Sequence, residues 1–288
     1  MDEFLEGMSE AIGDFFINYF SSLDSIMKLA EAAPMDKIDG FPSKALWEAS
    51  QGISSSIGVG VATVIIALFL FFELAAVFNR SDAKGWDGIY WILMAFLKVA
   101  VAITICKNMT LIIQICFAIT SEIVNGLKQS GLLKLQKIEN QTLAQDLVEY
   151  YADKGWWQSL CGWFFGLIAS FVNNIAMTIV EIICKLRFIE IYVFTAIAPL
   201  PFCTFCNQEY KHIGIAFLKR LLALGLQGVF IAIVCIFYVQ IVNASIGNSL
   251  NVTGNPTGAM CSMMGYSLLL LIAVFQTGGW SKSLLQVN

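Results

Sequence analysis

The chain has 288 residues, 58% of them hydrophobic and 13% charged, with a mean hydropathy of +0.73. A typical soluble domain carries about 45–50% apolar residues, glycine included, and about 25% charged ones. That contrast excludes a soluble enzyme, a nucleic-acid-binding domain, a coiled coil and a disordered chain, and leaves a polytopic membrane protein. The net charge of −4 is unevenly spread: residues 1–52 hold ten acids and three bases, residues 53–288 eleven acids and fourteen bases. An acidic arm is repelled by the anionic lipid of the cytoplasmic face, which favours the outer face or a protein partner. No Lys or Arg precedes the first apolar stretch, so no secretory n-region is expected.

In chain order, residues 2–20 read as an amphipathic helix, with Leu5, Met8, Ile12, Phe15, Phe16 and Tyr19 opposite Glu3, Glu6, Glu10 and Asp14. Such a helix lies in an interface or docks on the protein's own surface. Residues 32–52, with Pro34, Gly40 and Pro42, read as a linker, giving a 1–52 arm ahead of a 53–288 transmembrane domain. The first span is expected at about 53–78, followed by a polar turn at 79–87. The apolar stretch 88–126 lacks proline and internal glycine. As one helix it would extend nearly ~60 Å, about twice the hydrocarbon thickness. Lys107-Asn108 in its middle marks either a hairpin or the exit of a long helix, so one crossing and two both stand.

Residues 127–156 form the largest polar loop, and 157–184 a further span anchored by Trp156, Trp157 and Trp163. The run 188–206 is cut by Ala198-Pro199-Leu200-Pro201, because proline removes a backbone donor and disfavours helix in the residue before it. Either the span ends at Pro199 near the interface, or a broken helix sits at membrane depth against protein or water. Residues 210–220 read as an interfacial turn, 221–242 as a span, 243–257 as an uncharged loop and 258–276 as the last span. The expected fold is all-α, a polytopic helical bundle of six or seven spans. Lys and Arg counts place the 127–156 loop and the 207–220 segment inside and the 243–257 loop outside. An N-terminus on the outer face then requires seven spans.

No catalytic constellation is visible, and no cofactor or metal is expected. The single histidine, His212, excludes paired-histidine motifs, and no G-x-x-x-x-G-K-[ST] loop occurs. Cys203-x-x-Cys206 lacks the four ligands of a zinc site and reads as buried packing, as do Cys106, Cys116, Cys184 and Cys235 inside apolar runs. What remains are charges in or beside the spans: Glu73, Lys98, Glu122, Glu181, Lys185, Arg187 and Glu190. Each needs a partner, an interior or water, since an ionisable group at the bilayer centre costs at least ~2.5–3.5 kcal/mol. Glu73 with Lys98, and Glu181 with Lys185 at i,i+4, are the expected pairs. With Pro199 and Pro201 these residues are candidates for locking helices together or lining a channel.

The stretch R-F-I-E-I-Y-V-F-T-A-I-A-P-L-P at 187–201, a polar turn, and L-L-A-L-G-L-Q-G at 221–228 resemble the TrbL-type polytopic subunit of type IV secretion (conjugation) machines. The likeness is to the variant carried by conjugative elements of Firmicutes. The resemblance implies a non-enzymatic, multi-pass subunit of the cytoplasmic membrane that oligomerises into part of a DNA or protein translocation channel. Its implied partners are further copies of itself, other membrane subunits of the secretion machine, the transfer ATPase, a cell-wall hydrolase, the lipid bilayer and, transiently, translocating DNA. The family usually places the loop before its third conserved span outside, against the charge-based placement of 127–156. A secondary transporter or channel for a small solute would also show broken helices and buried charges, often with inverted repeats. The two halves of this chain show no convincing repeat.

Overall fold

The computed structural model describes residues 25–38, 40–79, 86–129, 156–248 and 256–286. The expected amphipathic helix at 2–20 and most of the 127–156 loop lie outside the described residues. Those described are almost entirely helical: α1 (Ser43–Ile53), a π-helical turn (Ser54–Gly58), α2 (Val59–Phe78), α3 (Trp86–Lys107), α4 (Met109–Gln129), α5 (Trp156–Ile197), the single turn α6 (Pro199–Phe202), a 3-10 turn (Cys203–Cys206), α7 (Lys211–Asn248) and α8 (Pro256–Leu284). Six stretches are long and apolar enough to cross a membrane: 43–78, 88–107, 109–129, 163–197, 211–242 and 261–284.

Their surfaces identify the solvent. Phe71, Phe78, Leu93, Phe164, Phe171 and Phe275 are each 60% or more exposed. In water every such side chain would forgo roughly 1.5–3 kcal/mol of burial, whereas hydrocarbon accepts it without penalty. Apart from Thr63 and Glu73, α2 is apolar all round, the pattern of a helix with lipid on one side and protein on the other.

The partition of spans differs from the sequence expectation in three places, and in a fourth it takes one of two readings that the sequence leaves open. Helix starts at Ser43, within the expected linker, so only 32–42 connect. The 88–126 stretch, for which one crossing and two both stood, is two helices separated at Asn108. There the Asn108 backbone N–H still reaches the Thr104 carbonyl (3.1 Å), and the side-chain Nδ2 donates to the same oxygen (2.9 Å). The expected spans 157–184 and 188–206 are joined, because α5 runs unbroken through Lys185 and Arg187 to Ile197. The charges there do not end the helix, because Lys and Arg are good helix formers, and Lys185 is held by Glu181 one turn back at 2.6 Å. The expected 210–220 turn is likewise helical from Lys211 on, and the helix of the expected last span 258–276 continues through Gly278 and Gly279 to Leu284, glycine being well tolerated in membrane helices.

The chain divides into two compact units. One comprises Ala32–Thr120, Leu186–Leu226 and Trp280–Asn288. Within it α2 and α3 pack side by side, and Ser54 donates to the Met109 sulfur (3.6 Å). The connector before α1 is fastened to α5: Phe41 lies against Phe188 and Trp47 against Tyr192, both at 6.4 Å between centroids. The buried Tyr192 hydroxyl donates to the Pro34 carbonyl (2.9 Å). The other unit comprises Met1–Glu31, Ser121–Lys185 and Gln227–Gly279. Lys128 pairs with Glu31, whose carbonyl also accepts from Ser121 (3.0 Å). The Ser267 hydroxyl donates to Asn173 Oδ1 (2.7 Å) with both residues 1% exposed. On α8 the buried positions Met263, Ser267, Leu270, Val274 and Thr277 recur at steps of four and three, the spacing that gives left-handed knobs-into-holes packing.

Candidate functional site

Proline at 199 ends the helix that Arg187–Ile197 belongs to, for the reason visible in sequence: its ring has no N–H and blocks the preceding turn. Ala198 is the one-residue break, and α6 and the 3-10 turn carry the chain on to Asn207. A break of this kind leaves carbonyls without helical partners, and in a membrane each must be satisfied by protein. The Ala198 N–H reaches the Thr195 carbonyl that Pro199 leaves without its usual donor (3.4 Å), and beyond the break side chains add donors. Cys106 on α3 donates to the Pro199 carbonyl (3.8 Å), Cys203 to Leu200 (2.8 Å) and Thr204 to Pro201 (2.7 Å). The same Thr204 oxygen accepts the Gly214 N–H (3.1 Å), which caps the first turn of α7 from ten residues away. Phe202 and Phe217 meet edge to face at 5.6 Å, as do Phe194 and Phe217 at 5.7 Å.

Two glycines permit this packing. A Cβ at Gly58 would stand 2.8 Å from Pro199 Cγ, and one at Gly214 would stand 2.8 Å from the Pro201 carbonyl oxygen and 3.0 Å from the Phe205 ring. Gly58 closes the π-helical turn Ser54–Gly58. The break at Ala198, the break at Asn108 and this widened turn therefore meet through Gly58–Pro199, Cys106–Pro199 and Ser54–Met109 contacts. The prolines are visible in the sequence and the π turn is not; its one advance sign is the set of small residues Ser54, Ser55, Ser56, Gly58 and Gly60.

The charged candidates fall into distinct places. Glu73 on α2 and Lys98 on α3 face each other at 3.6 Å, both side chains under a third exposed. Glu181 and Lys185 pair along α5. Arg187 is 5% exposed with its guanidinium 4.7 Å from the centre of the Phe188 ring. Glu122 is exposed and Glu190 half-buried, and neither has an ion-pair partner among the described residues. The Glu31–Lys128 pair, 97 residues apart, left no periodic or motif signal to find.

Cys203 and Cys206 are buried, and Cys206 donates to the Cys203 carbonyl (2.9 Å). Burial, with minor contributions from Cys106 and Cys206, pushes the Cys203 thiol up from 9.0 to about 12; burial raises Cys206 as well. At neutral pH Cys203 then holds roughly a thousandth of the usual thiolate, the reactive form. N-ethylmaleimide applied to the folded protein in detergent is expected to modify the exposed Cys161 and Cys261 and leave Cys203 and Cys206 intact. Equal labelling of all four by mass spectrometry would contradict this burial. Among the described residues no three His, Cys, Asp or Glu side chains converge in a metal-holding arrangement.

Residues 39–199 match the sequence model of a family described as TrbL/VirB6 plasmid conjugal transfer like protein, more than half of the chain. No curated protein matches, and no solved structure matches. The matched region runs from the connector before α1 to the proline that ends the α5 break.

Proposed function

The chain belongs to the TrbL/VirB6 plasmid conjugal transfer-like family, and from that premise we propose that it is a non-enzymatic subunit of a conjugative type IV secretion machine, oligomerising in the cytoplasmic membrane to form part of the translocation channel. The family match over residues 39–199 carries the reading. The charges support the oligomeric part of it. Glu122 and Glu190 lie in helices apolar enough to cross the membrane, and each would cost at least ~2.5–3.5 kcal/mol if left in hydrocarbon at mid-depth. A neighbouring subunit or an aqueous passage removes that cost. The partners that fit the reading are the transfer ATPase, other membrane subunits, a cell-wall hydrolase and, in transit, DNA.

An in-frame deletion in the donor, scored for conjugative transfer and complemented in trans, tests the reading. Transfer is expected to vanish and to return with the intact chain; undiminished transfer without the protein would overturn it. Cysteine placed at Glu122 is expected to form crosslinks between copies in membranes. A product that stays monomeric under bifunctional maleimide would remove the oligomeric part.

A further inference from the structure

A cavity of about 340 Å³ opens at the end of the α2–α3 pair, lined among others by Glu73, Lys98, Tyr90, Trp91, Asn207 and Glu209. That volume is at the lower end of the range for small-molecule sites. Glu73 lies five residues before the end of the 43–78 spanning helix, about 7.5 Å along its axis, a distance comparable with one headgroup layer. Tyr90 and Trp91, 56% and 45% exposed and in edge contact at 5.9 Å, have the amphipathic character of an interfacial aromatic belt.

The walls carry both signs of charge. Lys98 supplies one ammonium, already shared with Glu73 at 3.6 Å, and Glu209 adds a second carboxylate at the rim. Asn207 fixes that rim by accepting the Glu209 N–H (2.8 Å), and Tyr210, stacked on Phe69 at 5.4 Å, ties the turn to α2. The lining thus has one positive and two negative groups. A purely anionic headgroup would find one engaged cation and two carboxylates. A headgroup with both a phosphate and an ammonium finds a partner for each: Lys98 for the phosphate, Glu209 and Glu73 for the ammonium. Phe72, lining the mouth and 56% exposed, leads onto the lipid-facing surface of α2 where acyl chains would lie.

We propose that this cavity binds the headgroup of a phospholipid that carries a phosphate and a primary ammonium. The assignment does not rest on the conjugation reading, and its test does not measure transfer. The full-length protein is purified into nanodiscs of equal phosphatidylethanolamine and phosphatidylglycerol, and the lipid that remains bound on release is measured by native mass spectrometry. Phosphatidylethanolamine is expected to be retained about tenfold over phosphatidylglycerol, the effect of one good charge contact. Glu209→Gln is expected to abolish the preference while leaving the Glu73–Lys98 pair in place, and Lys98→Gln to lower retention of the aminated lipid. If Lys98→Gln fails to assemble, Glu209→Gln alone decides. Equal retention of the two lipids, or a preference untouched by Glu209→Gln, would overturn the proposal. Complete displacement of the lipid by soluble O-phosphoethanolamine at equal concentration would also overturn it, in favour of a soluble ligand.

Discussion

Replacing Gly214 with alanine destabilises the protein by about 1–3 kcal/mol, the usual cost of forcing an extra methyl into a packed interior. The sign is what makes the result diagnostic. In a helix interior glycine to alanine ordinarily stabilises by roughly 0.5–1 kcal/mol, through the entropy of the unfolded chain. At Gly60 and Gly265 nothing lies within 4 Å of an added Cβ, so alanine there should follow the ordinary rule. At Gly214 the new carbon meets the Pro201 carbonyl oxygen at 2.8 Å, a backbone atom fixed by two prolines and by the Thr204 hydroxyl. At Gly58 the obstacle is the Pro199 ring, also at 2.8 Å. The expected order of thermal stability in one detergent is therefore Gly60→Ala and Gly265→Ala above wild type, with Gly58→Ala and Gly214→Ala below it. A stabilised Gly214→Ala would show that the turn after α5 is not packed as described.

Lys98→Leu and Glu73→Leu each destabilise, and the double variant recovers most of the loss. Removing one partner leaves a lone charge among apolar helices, whereas replacing both leaves a surface that lipid and neighbours accept. The two single variants differ in size. A lone Lys98 extends its four-carbon stem toward the headgroups and keeps part of its solvation. A lone Glu73 has a short side chain and stays where it is, so Lys98→Leu costs more. Because both groups are under a third exposed and Glu73 lies five residues from the end of α2, the loss falls at or below the lower end of the ~2.5–3.5 kcal/mol for a charge at mid-membrane. A double-mutant cycle on unfolding midpoints measures the coupling; additive losses would mean that the 3.6 Å approach contributes nothing.

The helical, membrane-spanning character was legible because it depends on composition and segment length, which no tertiary contact changes. The break at Pro199 was equally legible, since a missing N–H acts locally. Continuity was harder. Lys185, Arg187, Lys211 and Lys219 looked like helix ends because a charge usually marks the edge of the membrane, yet polarity and backbone continuity are separate properties, and α5 and α7 run straight through. The family likeness rested on 187–201 and 221–228, and the second of these lies beyond the matched region 39–199. At the site, the Glu73–Lys98 and Glu181–Lys185 pairs followed from neighbouring helices and from i,i+4 spacing. The glycine–proline contacts, the Thr204 cap and the Glu31–Lys128 pair join residues far apart in the chain, where a single sequence has no register to compare.

The widened turn at Ser54–Gly58 has a consequence for how the length of this segment can vary. A turn closed by i→i+5 bonds holds one residue more than its i→i+4 counterpart. Removing a single exposed residue there, Ser56 for instance, converts the coil to ordinary pitch and leaves Trp47 upstream and Ala62 downstream aimed inward as before. The same one-residue loss elsewhere between Ser43 and Phe78 would swing everything beyond it by about 100°, turning Ala62 and Ile66 out toward lipid. Natural length variation in this helix should therefore concentrate in those five positions, where the chain carries a spare link.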